Sequence, residues 1–190
     1  MAKRGSLGRT RTEKKKKPYS KASDDEKVAR NWSKALGLYD REEWSVAVLR
    51  CATCLELMVN FVIRQELVTE KKLPLQFVDK LLQNANGIHN KYQNLYLPIM
   101  AQYLEHDDLK RLWQERIVKV NAERNKVAHQ GEFRSRKAAK KVMEDTSFAM
   151  QQVMGLYGYG AELRPFSDPD GVHSDVPDRS VGRRRPASSR

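Results

Sequence analysis

Cysteine is scarce in this chain: its 190 residues include only Cys51 and Cys54, three positions apart in an apolar segment. Because there is no second Cys/His pair at zinc-site spacing, the sequence predicts two reduced core thiols and no bound metal.

A long uninterrupted hydrophobic run is also missing. Arg50, Glu56 and Arg64 break up the most apolar segment, which argues against the ~20 apolar residues of a bilayer span. With no apolar signal region at the N-terminus either, we expect a cytoplasmic protein that does not enter a membrane.

Positive charge is concentrated at one end of the sequence. The formal net charge is +12, and residues 1–22 hold nine Lys/Arg against one acidic residue. The densest run in this segment is Lys14, Lys15, Lys16 and Lys17. A run of cations without apolar partners predicts a disordered arm, which either aids solubility or attracts RNA phosphates regardless of sequence. Residues 161–190 are rich in turn formers and predict a disordered tail, which leaves a folded region of 23–160.

The alternating pattern of β-strands is absent from that folded region, and helical periodicity takes its place. Ser23 and Glu26 stand at capping-box spacing, and a long apolar segment free of Gly and Pro predicts a central helix. The predicted helices cover about residues 23–38, 41–69, 75–82, 92–104, 109–129 and 135–156. We therefore expect an all-α bundle of five or six helices.

The end of the predicted helix 109–129 carries Arg124, Asn125 and His129, side chains of types that bind phosphate or transfer protons. Arg124 falls within an apolar stripe, where a guanidinium needs a carboxylate, a bound phosphate or a wet cleft between subunits as its partner. Glu56, on the polar stripe of the central helix, is the best candidate carboxylate. Asn125 and His129 are four residues apart and share a helix face. Arg124 and His129 converge only if the helix ends near His129, or if two copies of the segment face each other.

The residues Arg124-Asn125-Lys126-Val127-Ala128-His129, at the end of one helix and before a short Gly-containing loop and a last amphipathic helix, resemble the signature of the HEPN superfamily. An earlier long helix, Leu49 to Met58 with Glu56 facing inward, is also similar to that family. The resemblance covers about residues 25–157 in outline, and it is specific only at the motif.

This resemblance implies an α-helical homodimer and a metal-independent endoribonuclease that needs no cofactor and whose active site both subunits build. His129 is then the acid or base, Arg124 binds the phosphate, and Asn125 orients the imidazole or donates to the phosphate. Glu56 is a supporting residue, while Lys126 and the arm lysines contact RNA. The products are expected to carry 2′,3′-cyclic phosphate and 5′-hydroxyl ends.

A second interpretation stays open, in which the chain is a non-catalytic module that binds RNA or protein. Arg124 is then a structural tie to Glu56, and His129 only stabilises a helix end. Some members of the family are toxins restrained by an antitoxin, while others act in phage defence or RNA processing. In some toxins the antitoxin modifies a tyrosine just after the motif histidine. Gln130 and Gly131 stand there in this chain, so the resemblance does not extend to that mode of control.

Overall fold

A computed structural model describes residues 17–168 of the chain as a bundle of α-helices. The α-helical segments are α1 (Asp24–Asp40), α2 (Trp44–Arg64), α3 (Leu75–Asn84), α4 (Gly87–Lys91), α5 (Leu97–Met100), α6 (His106–Leu112), α7 (Val118–Gln130) and α8 (Arg136–Gly155). Single π-helical stretches extend α2 and join α4 to α5 and α6 to α7, at Gln65–Glu70, Tyr92–Tyr96 and Trp113–Ile117. Within the described range the chain thus forms six continuous helices and no strand, which confirms the predicted all-α bundle.

The helix boundaries follow from local chemistry. Ser23 caps α1, and the Glu26 carboxylate accepts a hydrogen bond from the Ser23 backbone N–H at 3.0 Å, so the predicted capping box forms. Ser135 caps α8 by accepting from the backbone N–H of Ala138. Pro98 is accommodated inside the continuous helix that α4 and α5 share, because it comes just after the π-helical turn Tyr92–Tyr96, where the regular hydrogen-bond pattern of the α-helix is already interrupted. The helix around it begins earlier than predicted, at Gly87 rather than near Tyr92.

The long helix from Trp44 to Glu70 is the centre of the bundle. By length and composition alone it is apolar enough to cross a membrane, a test that core helices of soluble proteins also pass. Here 56% of its most apolar window is buried against the rest of the chain. Cys51 and Cys54 lie on it as free, fully buried thiols, as predicted. Burial raises the pKa of Cys51 to about 12 and that of Cys54 well above its usual value, so both thiols remain protonated.

The packed region begins earlier than residue 23. Residues 17–22 include a short 3-10 turn, and the Ala22 side chain is buried. The Tyr19 hydroxyl accepts a hydrogen bond from Asn31 Nδ2 at 2.9 Å, which fastens this segment to α1. The expected disordered arm therefore does not extend to residue 22, and its remaining part, 1–16, lies outside the described residues.

The packed region also ends later than residue 160. Residues 161–168 lie against the bundle, with Leu163 buried. The indole Nε1–H of Trp32 donates to the backbone oxygen of Arg164 at 2.7 Å, so a buried tryptophan finds its polar partner in this segment. The rest of the predicted tail, 169–190, lies outside the described residues.

Candidate functional site

The motif lies at the C-terminal end of α7. This helix ends at Gln130, and Gly131 follows in the left-handed conformation, with φ of 66° and ψ of 19°. A side chain at that φ is strained, so glycine is the favoured residue there. His129 thus occupies the last turn of the helix, where its exposed ring can turn back toward the preceding turn.

Arg124, Asn125 and His129 form one cluster within a single chain. The guanidinium Nη1 of Arg124 donates to Asn125 Oδ1 at 2.9 Å and lies 2.9 Å from His129 Nε2. The first of the two conditions for convergence is met, because the helix ends beside His129. No carboxylate among residues 17–168 forms an ion pair with Arg124. Within the described region, its positive charge is therefore not neutralised by a carboxylate.

The contact between Arg124 and His129 also assigns the state of the imidazole. A guanidinium is always protonated and can only donate hydrogen bonds. We therefore assign a lone pair to Nε2 and the ring proton to Nδ1. In this form His129 can accept a proton at Nε2, as a general base must.

Glu56 is not the partner of Arg124, which corrects the expectation from the sequence. Its Oε1 accepts a hydrogen bond from Lys91 Nζ at 2.7 Å, and Lys91 is 8% exposed. Lys91 belongs to α4, so the carboxylate ties α4 to the polar stripe of α2. Glu56 thus neutralises a buried ammonium and has no contact with the motif.

A second cluster, made of hydrogen bonds and ion pairs that sequence reasoning missed, fixes the loop after the motif. The Arg134 backbone N–H donates to Ser45 Oγ at 2.9 Å, and its guanidinium donates to Glu123 Oε2 at 2.8 Å and pairs with Glu132. Lys126 Nζ, for which the sequence predicts an RNA contact, lies 2.7 Å from Glu123 Oε1. No local sequence signal reveals the contact between Arg134 and Ser45, since the two residues are 89 positions apart.

The carboxyl group of Glu123 has a shifted pKa. Burial by itself raises it, but hydrogen bonds and charge attraction from Lys126 and Arg134 outweigh burial and hold the pKa below its usual value of 4.5. A pKa that is lower in the folded chain stabilises the fold fully above pH 4.5, and the contribution disappears as the pH falls through the folded value.

Glu123→Gln should therefore lower the free energy of unfolding by about 1 kcal/mol at neutral pH and have little effect at pH 3. The measurement is urea unfolding of both proteins at the two pH values. Glu162→Gln, at an exposed position, is the matched control and should show no pH-dependent difference. An equal loss of stability at pH 3 and pH 7 would contradict the ion-pair explanation.

Positive charge in the described part of the chain is concentrated on the helical hairpin formed by α7 and α8. Residues 118–155, which form α7, the connecting loop and α8, contain eight Lys/Arg and four Asp/Glu, a formal net charge of +4. The other described residues contain 16 Lys/Arg and 16 Asp/Glu, a net charge of zero. The motif thus lies on the basic part of a bundle that is otherwise neutral, an arrangement that attracts polyanions.

The predicted arm enters the bundle far from this hairpin. Lys17 Nζ lies 3.5 Å from Glu26 Oε2, near the start of α1. That end of α1 meets the C-terminal end of α2, where Arg64 pairs with Asp24 at 2.7 Å. Ser45, which contacts the motif loop, is 19 residues earlier on the same helix, or about 28 Å away along its axis. Of the four arm lysines, Lys14, Lys15 and Lys16 lie outside the described residues.

Phe133 is a further residue that sequence reasoning missed. It lies in the loop between α7 and α8 and is 92% exposed. A lone aromatic in the otherwise polar segment Gly131 to Ser135 was the signal that could have identified it.

Comparisons with family models, curated proteins and solved structures found no match to this chain. The described residues hold no group of three or more His, Cys, Asp or Glu side chains positioned to bind a metal ion.

Proposed function

We propose that this protein is a metal-independent endoribonuclease of the HEPN type that acts as a homodimer. The observation that carries the proposal is the contact of 2.9 Å between the Arg124 guanidinium, which has no carboxylate partner among the described residues, and the exposed imidazole of His129. A cation that is free to bind phosphate beside an imidazole with an available lone pair suits cleavage of a phosphodiester.

RNA supplies its own nucleophile, the 2′-hydroxyl. In the proposed reaction this hydroxyl replaces Arg124 Nη1 as the hydrogen-bond donor to His129 Nε2, which then removes the proton as the oxygen attacks phosphorus. The bond from phosphorus to the 5′ oxygen breaks, which leaves a 2′,3′-cyclic phosphate. The leaving oxygen takes its proton from His129 of the partner subunit, which acts in its protonated, imidazolium form.

Arg124 can hold the phosphate without releasing Asn125. Only Nη1 of its guanidinium makes hydrogen bonds to the described residues, and these go to Asn125 and His129. The N–H groups on Nε and Nη2 form the other edge of the guanidinium, which matches two phosphate oxygens. Asn125 then orients Arg124, because its side-chain oxygen accepts from the same Nη1.

The surroundings of the motif also favour a long anionic substrate. His129 is exposed at the end of α7, and the hairpin around it carries a net charge of +4. The lysines of the N-terminal arm add charge for weak, salt-sensitive binding. We place the protein in the cytoplasm, as a toxin or a defence effector restrained by a protein inhibitor.

The test is cleavage of single-stranded RNA by the full-length chain in EDTA, with analysis of the product ends and of the oligomeric state. We expect 2′,3′-cyclic phosphate and 5′-hydroxyl ends, while DNA and 2′-O-methyl RNA of the same sequence remain intact. Cleavage of the DNA or of the 2′-O-methyl RNA would contradict 2′-hydroxyl attack, because neither has a free 2′-hydroxyl. If a folded dimer binds RNA through the basic hairpin and cleaves none, the chain is the non-catalytic module instead.

A further inference from the structure

Phe133 stands apart from the other large apolar side chains of the described region. Its ring is 92% exposed, whereas no other exposed large hydrophobic residue among positions 17–168 exceeds 54%. An aromatic ring left in water gains much by being covered. Its position therefore needs an explanation that the fold does not supply.

The exposure of Phe133 does not result from a loose loop. Before it, Gly131 ends α7 in the left-handed conformation and the Glu132 backbone N–H donates to Lys126 O at 3.1 Å. After it, Arg134 is fixed by Ser45 and Glu123 at 2.9 and 2.8 Å. The backbone on both sides is thus anchored to other helices, and the ring is held in solvent.

The neighbours of Phe133 indicate what covers the ring. His129 is four residues away, so the two Cα atoms are at most about 14 Å apart. The exposed Lys137 follows in the first turn of α8, next to Arg136, whose guanidinium lies 2.7 Å from Asp168. A solvent-facing aromatic among cations is the usual platform on which proteins stack unpaired bases while binding the backbone. A base in a duplex is already stacked and paired, and so it cannot use this platform.

We infer that Phe133 stacks on an unpaired base next to the scissile phosphate and makes the site selective for single-stranded RNA. This inference rests on the proposed ribonuclease function, which it deepens by naming the form of the substrate.

The experiment measures the affinity of the full-length chain for a 2′-O-methyl RNA oligonucleotide, single-stranded or annealed to its complement. Phe133→Ala should weaken single-strand binding about tenfold and leave duplex binding unchanged, since one stacked base contributes roughly that much. Phe133→Trp should retain the affinity. Phe77→Ala is the matched control, because Phe77 is 50% exposed on α3, and it should bind like the wild type.

Four results would overturn the inference. Equal effects of Phe133→Ala on single strands and duplexes would show that the ring does not distinguish them. Conversion of a dimer into monomers by Phe133→Ala would show that a second copy of the chain covers the ring. If the wild type cleaves RNA and Phe133→Ala matches it in affinity and rate, only this inference fails. A wild type that neither binds nor cleaves RNA removes the proposed function as well.

Discussion

Replacing His129 by alanine should reduce RNA cleavage by about 10²- to 10⁴-fold, the usual contribution of a positioned general acid or base. In the proposed dimer we expect a reduction in cleavage near 10⁴-fold, the upper end of this range, because the substitution removes the imidazole from both subunits. The fold should remain intact, since His129 is exposed and exposed substitutions typically change stability by less than about 0.5 kcal/mol. RNA affinity should also remain, because the positive charges of the hairpin are unchanged.

The measurement compares single-turnover cleavage rates, RNA affinity and unfolding curves for His129→Ala and the wild type. His106→Ala is the matched control, since His106 is also exposed and lies at the start of α6, away from the motif. Added imidazole should restore part of the activity to His129→Ala and none to the wild type. Undiminished cleavage by His129→Ala would remove His129 from the reaction and, with it, the proposed mechanism.

The helical frame was predictable from the sequence because each helix carries its own local signals. The capping box at Ser23, the helix-starting position of Pro74 and the glycine after α7 all lie within a few residues of the ends that they mark. The ends of the bundle were harder to predict. Residues 17–22 and 161–168 have few apolar side chains, and what fixes them are single contacts to distant residues, such as the one from Trp32 to Arg164.

In the candidate site, too, the local features were predictable and the contacts between distant residues were not. The meeting of Arg124 and His129 was predictable as a condition on where the helix ends, and Gly131 supplies that end. The partner of Glu56 was not predictable, because charge alone does not distinguish Lys91 from Arg124, and only the packing of α4 on α2 brings Lys91 to it. Periodicity assigns a residue to a face of its own helix and does not tell which residue of another helix meets it.

Arg124→Ala should lower the cleavage rate by about 10²- to 10³-fold, the typical effect of removing a group that stabilises charge developing in the transition state. Its guanidinium is expected to bind the phosphate most tightly when an additional negative charge forms there. The loss should therefore appear equally in kcat and kcat/KM, with little change in KM. Arg124→Lys retains the charge but loses the bidentate pair of N–H donors, so we expect a cleavage rate between those of the wild type and Arg124→Ala.

Arg111→Ala is the matched control for loss of one arginine. Arg111 is an exposed residue of α6, 3.8 Å from Asp108, and its removal should change RNA affinity slightly and the cleavage rate not at all. A rise in KM with unchanged kcat for Arg124→Ala would show that Arg124 only attracts RNA. Arg124 would then be one more cation of the hairpin, and phosphate activation would need another donor. A loss confined to kcat and kcat/KM would instead assign to Arg124 the stabilisation of charge at phosphorus, because general attraction to the hairpin acts on the ground state and the transition state alike.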